Sequence, residues 1–163
     1  MALLPATLAN ELIANLDNFV TEAEATVAWA DSFDAYFQSA MAGVVPVTPL
    51  GTANAKNAMA TALAGMSLDG AGSTKLVAGI TAYWTQLNVD AFAVFLACTA
   101  ITPPPGLGGL TGLLNIDFTA NTVGIIAKVP ALTTIANTIH TAQLGGIAVF
   151  PIPPGGIGPQ VIV

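Results

Sequence analysis

His140 and Cys98 are the only histidine and the only cysteine in this 163-residue chain. Zinc held by nitrogen and sulfur needs three or four such ligands at short spacing. One imidazole and one thiol, far apart in sequence, do not supply them. A nucleophile–imidazole pair would need Cys98, or a serine or threonine, beside His140, and no local signature places one there. His140 is expected to be a partly buried helix residue, and Cys98 a small buried hydrophobe. The run Gly106-Leu-Gly-Gly-Leu-Thr-Gly112 has the glycines of a phosphate-binding loop but no Lys-Ser/Thr after it and no strand before it, so it is read as a turn between helices. Glu22 and Glu24 are two residues apart and do not share a helix face. Asp31 and Asp34 can share one, and they are read as solvated charges. No residue is therefore expected to be catalytic, cofactor-binding or metal-ligating, and no cofactor is implied.

The elements around these residues read as helices. Pro5 suits a first helical turn. From there Leu12, Leu16, Phe19, Ala23, Thr26, Ala30, Phe33 and Phe37 recur at alternating spacings of four and three, a heptad seam. It predicts one long helix from Pro5 to about Ala42, ended by Gly43 with Pro46 and Pro49 beyond. A second helix is predicted over Thr52 to Gly65. A third runs from an N-cap at Ser73 to about Thr99. Its stripe is Leu76, Ile80, Tyr83/Trp84, Leu87, Ala91, Val94/Phe95 and Cys98, with a break near Asn88-Val89-Asp90. After a Pro/Gly connection come a short helix, Leu113 to Thr119, and an apolar pattern from Val123 to Gln143 interrupted by Pro130. Val47-Thr-Pro49 and Ile101-Thr-Pro103 each precede such a pair, which suggests a duplicated helical hairpin.

Composition narrows the class. Only 7% of the residues are charged and 54% are hydrophobic, against roughly 25% charged in an ordinary soluble domain. Mean hydropathy is +0.74. A membrane helix needs about 20 consecutive apolar residues, and the best run, Ala91 to Ile101, stops at Pro103. No transmembrane segment is expected, and MALLPATLANEL lacks the basic start of a secretory signal. The three cations, Lys56, Lys75 and Lys128, are scattered, which argues against nucleic-acid binding. Six of the nine acids lie in the first forty residues, as a solvated helix face or a docking surface for a basic partner.

The last residues, GGIAVFPIPPGGIGPQVIV, carry no charge and four prolines. They cannot form a helix, and their apolar side chains are costly to leave in water. The chain is therefore divided into a helical domain, 1–146, and an extended C-terminal arm, 147–163. The arm is expected to lie on a neighbouring subunit through Phe150, Ile152, Ile157, Val161, Ile162 and Val163.

Thr102-Pro-Pro-Pro-Gly-Leu107, Phe118-Thr-Ala-Asn-Thr122, Ile135-Ala-Asn-Thr-Ile-His-Thr-Ala-Gln-Leu-Gly-Gly146 and the Pro-rich end resemble small virion proteins of contractile-tailed bacteriophages. Ala62-Leu-Ala-Gly-Met66 and Gly79-Ile-Thr-Ala-Tyr-Trp84 do so as well. The resemblance covers most of the chain after about residue 50. It implies a non-enzymatic structural subunit, repeated symmetrically in the neck, tail, baseplate or head surface of a virion assembled in the host cytoplasm. Its partners would be copies of itself and other structural subunits. The competing readings are a helical protein coating a membrane or other apolar surface, and a soluble enzyme or small-ligand module. The fold expected is mainly α: a helical bundle with a long N-terminal helix and an extended arm.

Overall fold

The computed structural model describes residues 3–16, 21–66, 70–122, 128–151 and 157–163. The chain is mainly helical. The first helix, α1 (Pro5–Asn15), has Pro5 in its first turn and buries Leu8, Ala9 and Leu12. The second, α2 (Glu22–Phe37), starts anew at Thr21. The hydroxyl oxygen of Thr21 accepts from the Glu24 amide at 3.2 Å, and the Glu24 carboxylate accepts from the Thr21 amide at 2.9 Å. This reciprocal cap holds Thr21 in an extended conformation, φ −127° and ψ 157°, which no helix interior can contain. The single helix expected over Pro5–Ala42 is thus two shorter ones. They pack against each other, so Leu12, Leu16, Thr26, Ala30, Phe33 and Phe37 are still buried while Ala23 is exposed. Phe19, also in the predicted seam, lies outside the described residues.

A short hairpin follows, β1 (Met41–Ala42) and β2 (Val45–Pro46), turning at Gly43 with φ +61°. After a 3-10 turn at Pro49–Thr52 comes α3 (Ala53–Leu63), close to its predicted span. The longest helix among the described residues is α4 (Gly70–Val89). Ser73 does not cap it but is buried three residues inside. The predicted stripe holds: Leu76, Ile80, Tyr83, Trp84, Leu87, Ala91, Val94, Phe95 and Cys98 are all buried. The break falls at Asp90, after which α5 (Ala91–Val94) adds one more turn. Cys98 behaves as the predicted small hydrophobe, and burial pushes its thiol pKa up.

Beyond β3 (Ala100–Thr102), α6 spans Leu107–Thr122, so of the glycine run read as a turn only Gly106 is in a turn and Leu107 to Gly112 lie within helix. Burial of Leu110 and Leu114 against α4 and the helix after it offsets the low helix propensity of glycine, about 1 kcal/mol per residue. That next helix, α7 (Lys128–Gln143), carries Pro130 in its first turn, where a missing amide proton is harmless. Gly145, at φ +89°, follows its end.

The C-terminal segment folds back onto its own domain. β4 (Ile147–Val149) is the central strand of an antiparallel sheet, between β3 and β5 (Pro159–Val161). Pro159 opens an edge strand, where proline is tolerated. Beyond it Ile162 bridges to Ala42, and Met41 and Val163 exchange two backbone hydrogen bonds, of 2.8 and 3.0 Å. Ala148, Phe150 and Ile162 are buried in the main core. An arm extended away from the domain is not what the described residues form. The partner edges that the tail needed come from residues 41–42 and 100–102 of the same chain.

Substitutions in the tail test this. Phe150→Ala is expected to cost about 3–5 kcal/mol and Ile162→Ala about 2–5 kcal/mol of unfolding free energy. The exposed Val161→Ala should stay within about 0.5 kcal/mol. Urea unfolding that shows all three to be equally mild would remove the tail from the core.

Candidate functional site

A set of aromatic and polar side chains, with the buried Asp34 and Gln143 among them, comes together from α2, α4 and α7. Phe33, Tyr36 and Phe37 come from α2, Tyr83 and Trp84 from α4, and their rings meet edge to face. The Phe33–Tyr83 centroids are 4.9 Å apart and the Phe37–Trp84 centroids 5.3 Å. Such tilted pairs align ring edges with ring faces and add to the area they bury. Each polar tip at the margin of this cluster then needs a partner, because an unmatched buried donor costs about 1–3 kcal/mol.

The polar tips of Tyr83, Tyr36 and Trp84 each have one. The Tyr83 hydroxyl donates to Asp34 Oδ1 at 2.7 Å, and Gln38 Nε2 donates to Asp34 Oδ2 at 2.9 Å. Asp34 is only 6% exposed, so the solvated carboxylate expected from sequence is instead a buried acceptor. Its helix mate Asp31 is at the surface, 3.0 Å from Lys56 Nζ. Tyr36 Oη lies 2.8 Å from His140 Nδ1. Trp84 Nε1 donates to Gln143 Oε1, a bond of 2.5 Å. The other end of that amide, Gln143 Nε2, has no hydrogen-bond partner among the described residues.

Protonation follows from this enclosure. Burial, and then the Asp34 charge, hold the Tyr83 phenol well above its usual range, and burial alone raises that of Tyr36. Desolvation lowers the pKa of His140 below its ordinary 6.5. The phenols stay protonated and the imidazole is neutral at pH 7. A protonated phenol is a poor nucleophile and a poor base. Asp34 accepts at both oxygens, and the hydrogen bonds of this cluster tie α2 to α4 and to α7 and α4 to α7. His140 is the partly buried helix residue that its sequence setting suggests. Among the described residues no three His, Cys, Asp or Glu side chains come together as a metal would require.

A shallow groove of about 430 Å³ opens between α1 and α2, lined by Asn15, Ala23, Glu24, Val27, Ala28 and Asp31. Its polar wall is already engaged. Asn15 Nδ2 donates to Ser32 Oγ at 3.0 Å, Glu24 caps α2, and Asp31 pairs with Lys56.

The predicted interface residues divide. Phe150 and Ile162 are buried in the chain's own core, Ile157, Val161 and Val163 are exposed, and Ile152 lies outside the described residues. Larger exposed side chains, missed in sequence, stand elsewhere. Leu50, Phe92 and Leu96 are 89%, 67% and 71% exposed, and Val89, three residues before Phe92, is exposed as well. The Thr48 amide donates to the Val94 carbonyl at 2.7 Å, and Asn54 Nδ2 donates to Asp90 Oδ2 at 3.0 Å. These bonds bring the 3-10 turn that carries Leu50 to the segment that carries Phe92 and Leu96. The sequence signal for them is the off-stripe position of Phe92 and Leu96 beside a buried run. No helix among the described residues is long and apolar enough to cross a membrane. No protein-family model, curated protein or solved structure matches the chain.

Tyr83→Phe leaves Asp34 with one donor fewer and is expected to lower stability by about 1–3 kcal/mol. The pH dependence has a definite sign. The folded-state pKa of His140 is depressed, so its contribution is full above the ordinary 6.5 and is lost as the pH falls from there through the folded value. The urea midpoint should therefore drop between about pH 7.5 and 5.5, and His140→Gln should remove part of that drop. An identical pH profile in the variant would contradict this assignment.

Proposed function

We propose that this chain is a non-enzymatic structural subunit of a large symmetric assembly, and that it binds its neighbours through apolar surface its own core leaves uncovered. One observation carries the reading. Leu50, Phe92 and Leu96 stand exposed on segments that hydrogen bonds hold together. Large apolar side chains left exposed on segments that pack together are candidates for such a contact surface. With 7% charged residues, little else on the surface keeps copies apart. The exposed Ile157, Val161 and Val163 offer a second apolar edge, held in place by the buried Phe150 and Ile162. The resemblance to small virion proteins of contractile-tailed bacteriophages supports a virion as the particle, with neck, tail, baseplate and head surface as its candidate places.

Sedimentation velocity tests the reading. The wild-type chain is expected to form oligomers whose population rises with concentration. The triple variant Leu50→Ser, Phe92→Ser, Leu96→Ser should move toward monomer with an unchanged circular dichroism spectrum, because these positions lie outside the core. A wild-type chain that stays monomeric at its highest attainable concentration would contradict the proposal. So would virus particles, purified from cells that make the chain, in which it is absent.

A further inference from the structure

We propose that Tyr36 and His140 form a proton-sensitive latch between α2 and α7, fastened while the imidazole is neutral and released when it takes up one proton. The two helices pack mainly on other elements, α2 on α1 and α3 and α7 on α1 and α6. The contact between Tyr36 Oη and His140 Nδ1, 2.8 Å long, ties them directly.

Burial fixes the direction of this bond. Tyr36 is fully buried, and its hydroxyl has no other partner among the described residues. The same burial keeps the phenol protonated. The hydroxyl therefore donates, Nδ1 accepts, and the neutral ring carries its own proton on Nε2. His140 is partly exposed, so water can deliver a second proton. That proton adds to the Nδ1 lone pair, which is the acceptor of the bond. Only one proton fits on the line between the two atoms. The imidazolium can donate to the phenol oxygen, but the hydroxyl proton must then turn away, and no other acceptor for it is described. A buried donor left without an acceptor opposes the closed arrangement.

The charges around the latch do not govern it. The ionisable groups on the neighbouring helices are Glu11 on α1, Asp117 on α6, Lys75 on α4, and Glu22, Glu24, Asp31 and Asp34 on α2, with Lys128 at the start of α7. Asp117 accepts from Thr138 Oγ1 at 2.6 Å, Asp34 accepts from Tyr83 and Gln38, Asp31 pairs with Lys56, and Lys75 donates to the Ala64 carbonyl. Burial lowers the pKa of His140, and no carboxylate raises it. The Tyr36 bond acts in the same direction as burial, because it is made to the neutral ring. With the folded-state value below the ordinary 6.5, the latch is closed above 6.5 and opens as the pH falls through the folded value.

The chain has a single histidine, so one imidazole gives all the ring-nitrogen signals of a histidine. Nitrogen-15 NMR of the labelled wild-type chain at pH 7.5 should show Nε2 protonated and Nδ1 bare, and both protonated in acid. Tyr36→Phe should admit the tautomer protonated on Nδ1 and raise the His140 pKa by about 0.5 or more, toward its ordinary value. The same variant should flatten the fall of the urea midpoint between about pH 7.5 and 5.5. A neutral wild-type ring protonated on Nδ1 overturns the proposal. So does a His140 pKa, or a fall in the urea midpoint, that is the same in wild type and Tyr36→Phe. Should Tyr36→Phe fail to fold, the wild-type tautomer decides.

Discussion

The indole of Trp84 sets the spacing of three elements. It is buried near the end of α4, meets Phe37 of α2 edge to face, and donates its ring proton to Gln143 at the end of α7. Its far edge lies so close to Gly146 that a Cβ there would be 2.7 Å from the ring. Gly146 is the residue from which the chain enters β4, and its carbonyl accepts from the Ile162 amide at 2.8 Å. One side chain thus joins the helical core to the sheet that closes the C-terminal segment. Around it α4 is the spine: α3, α6 and β3 all pack on it, and its inward stripe from Leu76 to Leu87 is fully buried.

That spine is the most legible part of the sequence, because a helix buried along one continuous stripe keeps its 3.6-residue period whatever its neighbours do. The N-terminal region misleads for the opposite reason. The apolar spacing keeps its phase across Thr21, since α1 and α2 bury side chains in the same core. Yet Thr21-Glu-Ala-Glu24 is a capping box that could be read directly. In α6 the glycines look like a loop, and only the burial of Leu110 and Leu114, a tertiary effect, makes it a helix. The tail looks like a free arm because strand pairing joins residues distant in sequence. Nothing local shows that 41–42 and 100–102 offer the edges it needs.

The polar cluster is less legible still. Asp34 looks like Asp31, a carboxylate on a helix of few cations, and their fates differ by the direction each faces. Asp34 meets the Tyr83 hydroxyl inside the domain, while Asp31 meets Lys56 at its surface. Phe92 and Leu96 are hard to single out because the same apolar run carries both the buried stripe and its exposed opposite side. With Phe150 and Ile162 used by the core, the contacts proposed with other subunits shift to a face the fold leaves open, that of Leu50, Phe92 and Leu96.

The central structural claim is that the C-terminal strands and α4 form one cooperative core. Native-state hydrogen exchange measures this amide by amide. In a single core the amides of Ile162 and Val163, bonded to Gly146 and Met41, exchange only through global unfolding, with the same free energy as those of Ile80 to Leu87 in α4. If the tail amides instead exchange through a local opening of much lower free energy while α4 stays protected, the segment is a detachable arm, and the single cooperative core is contradicted.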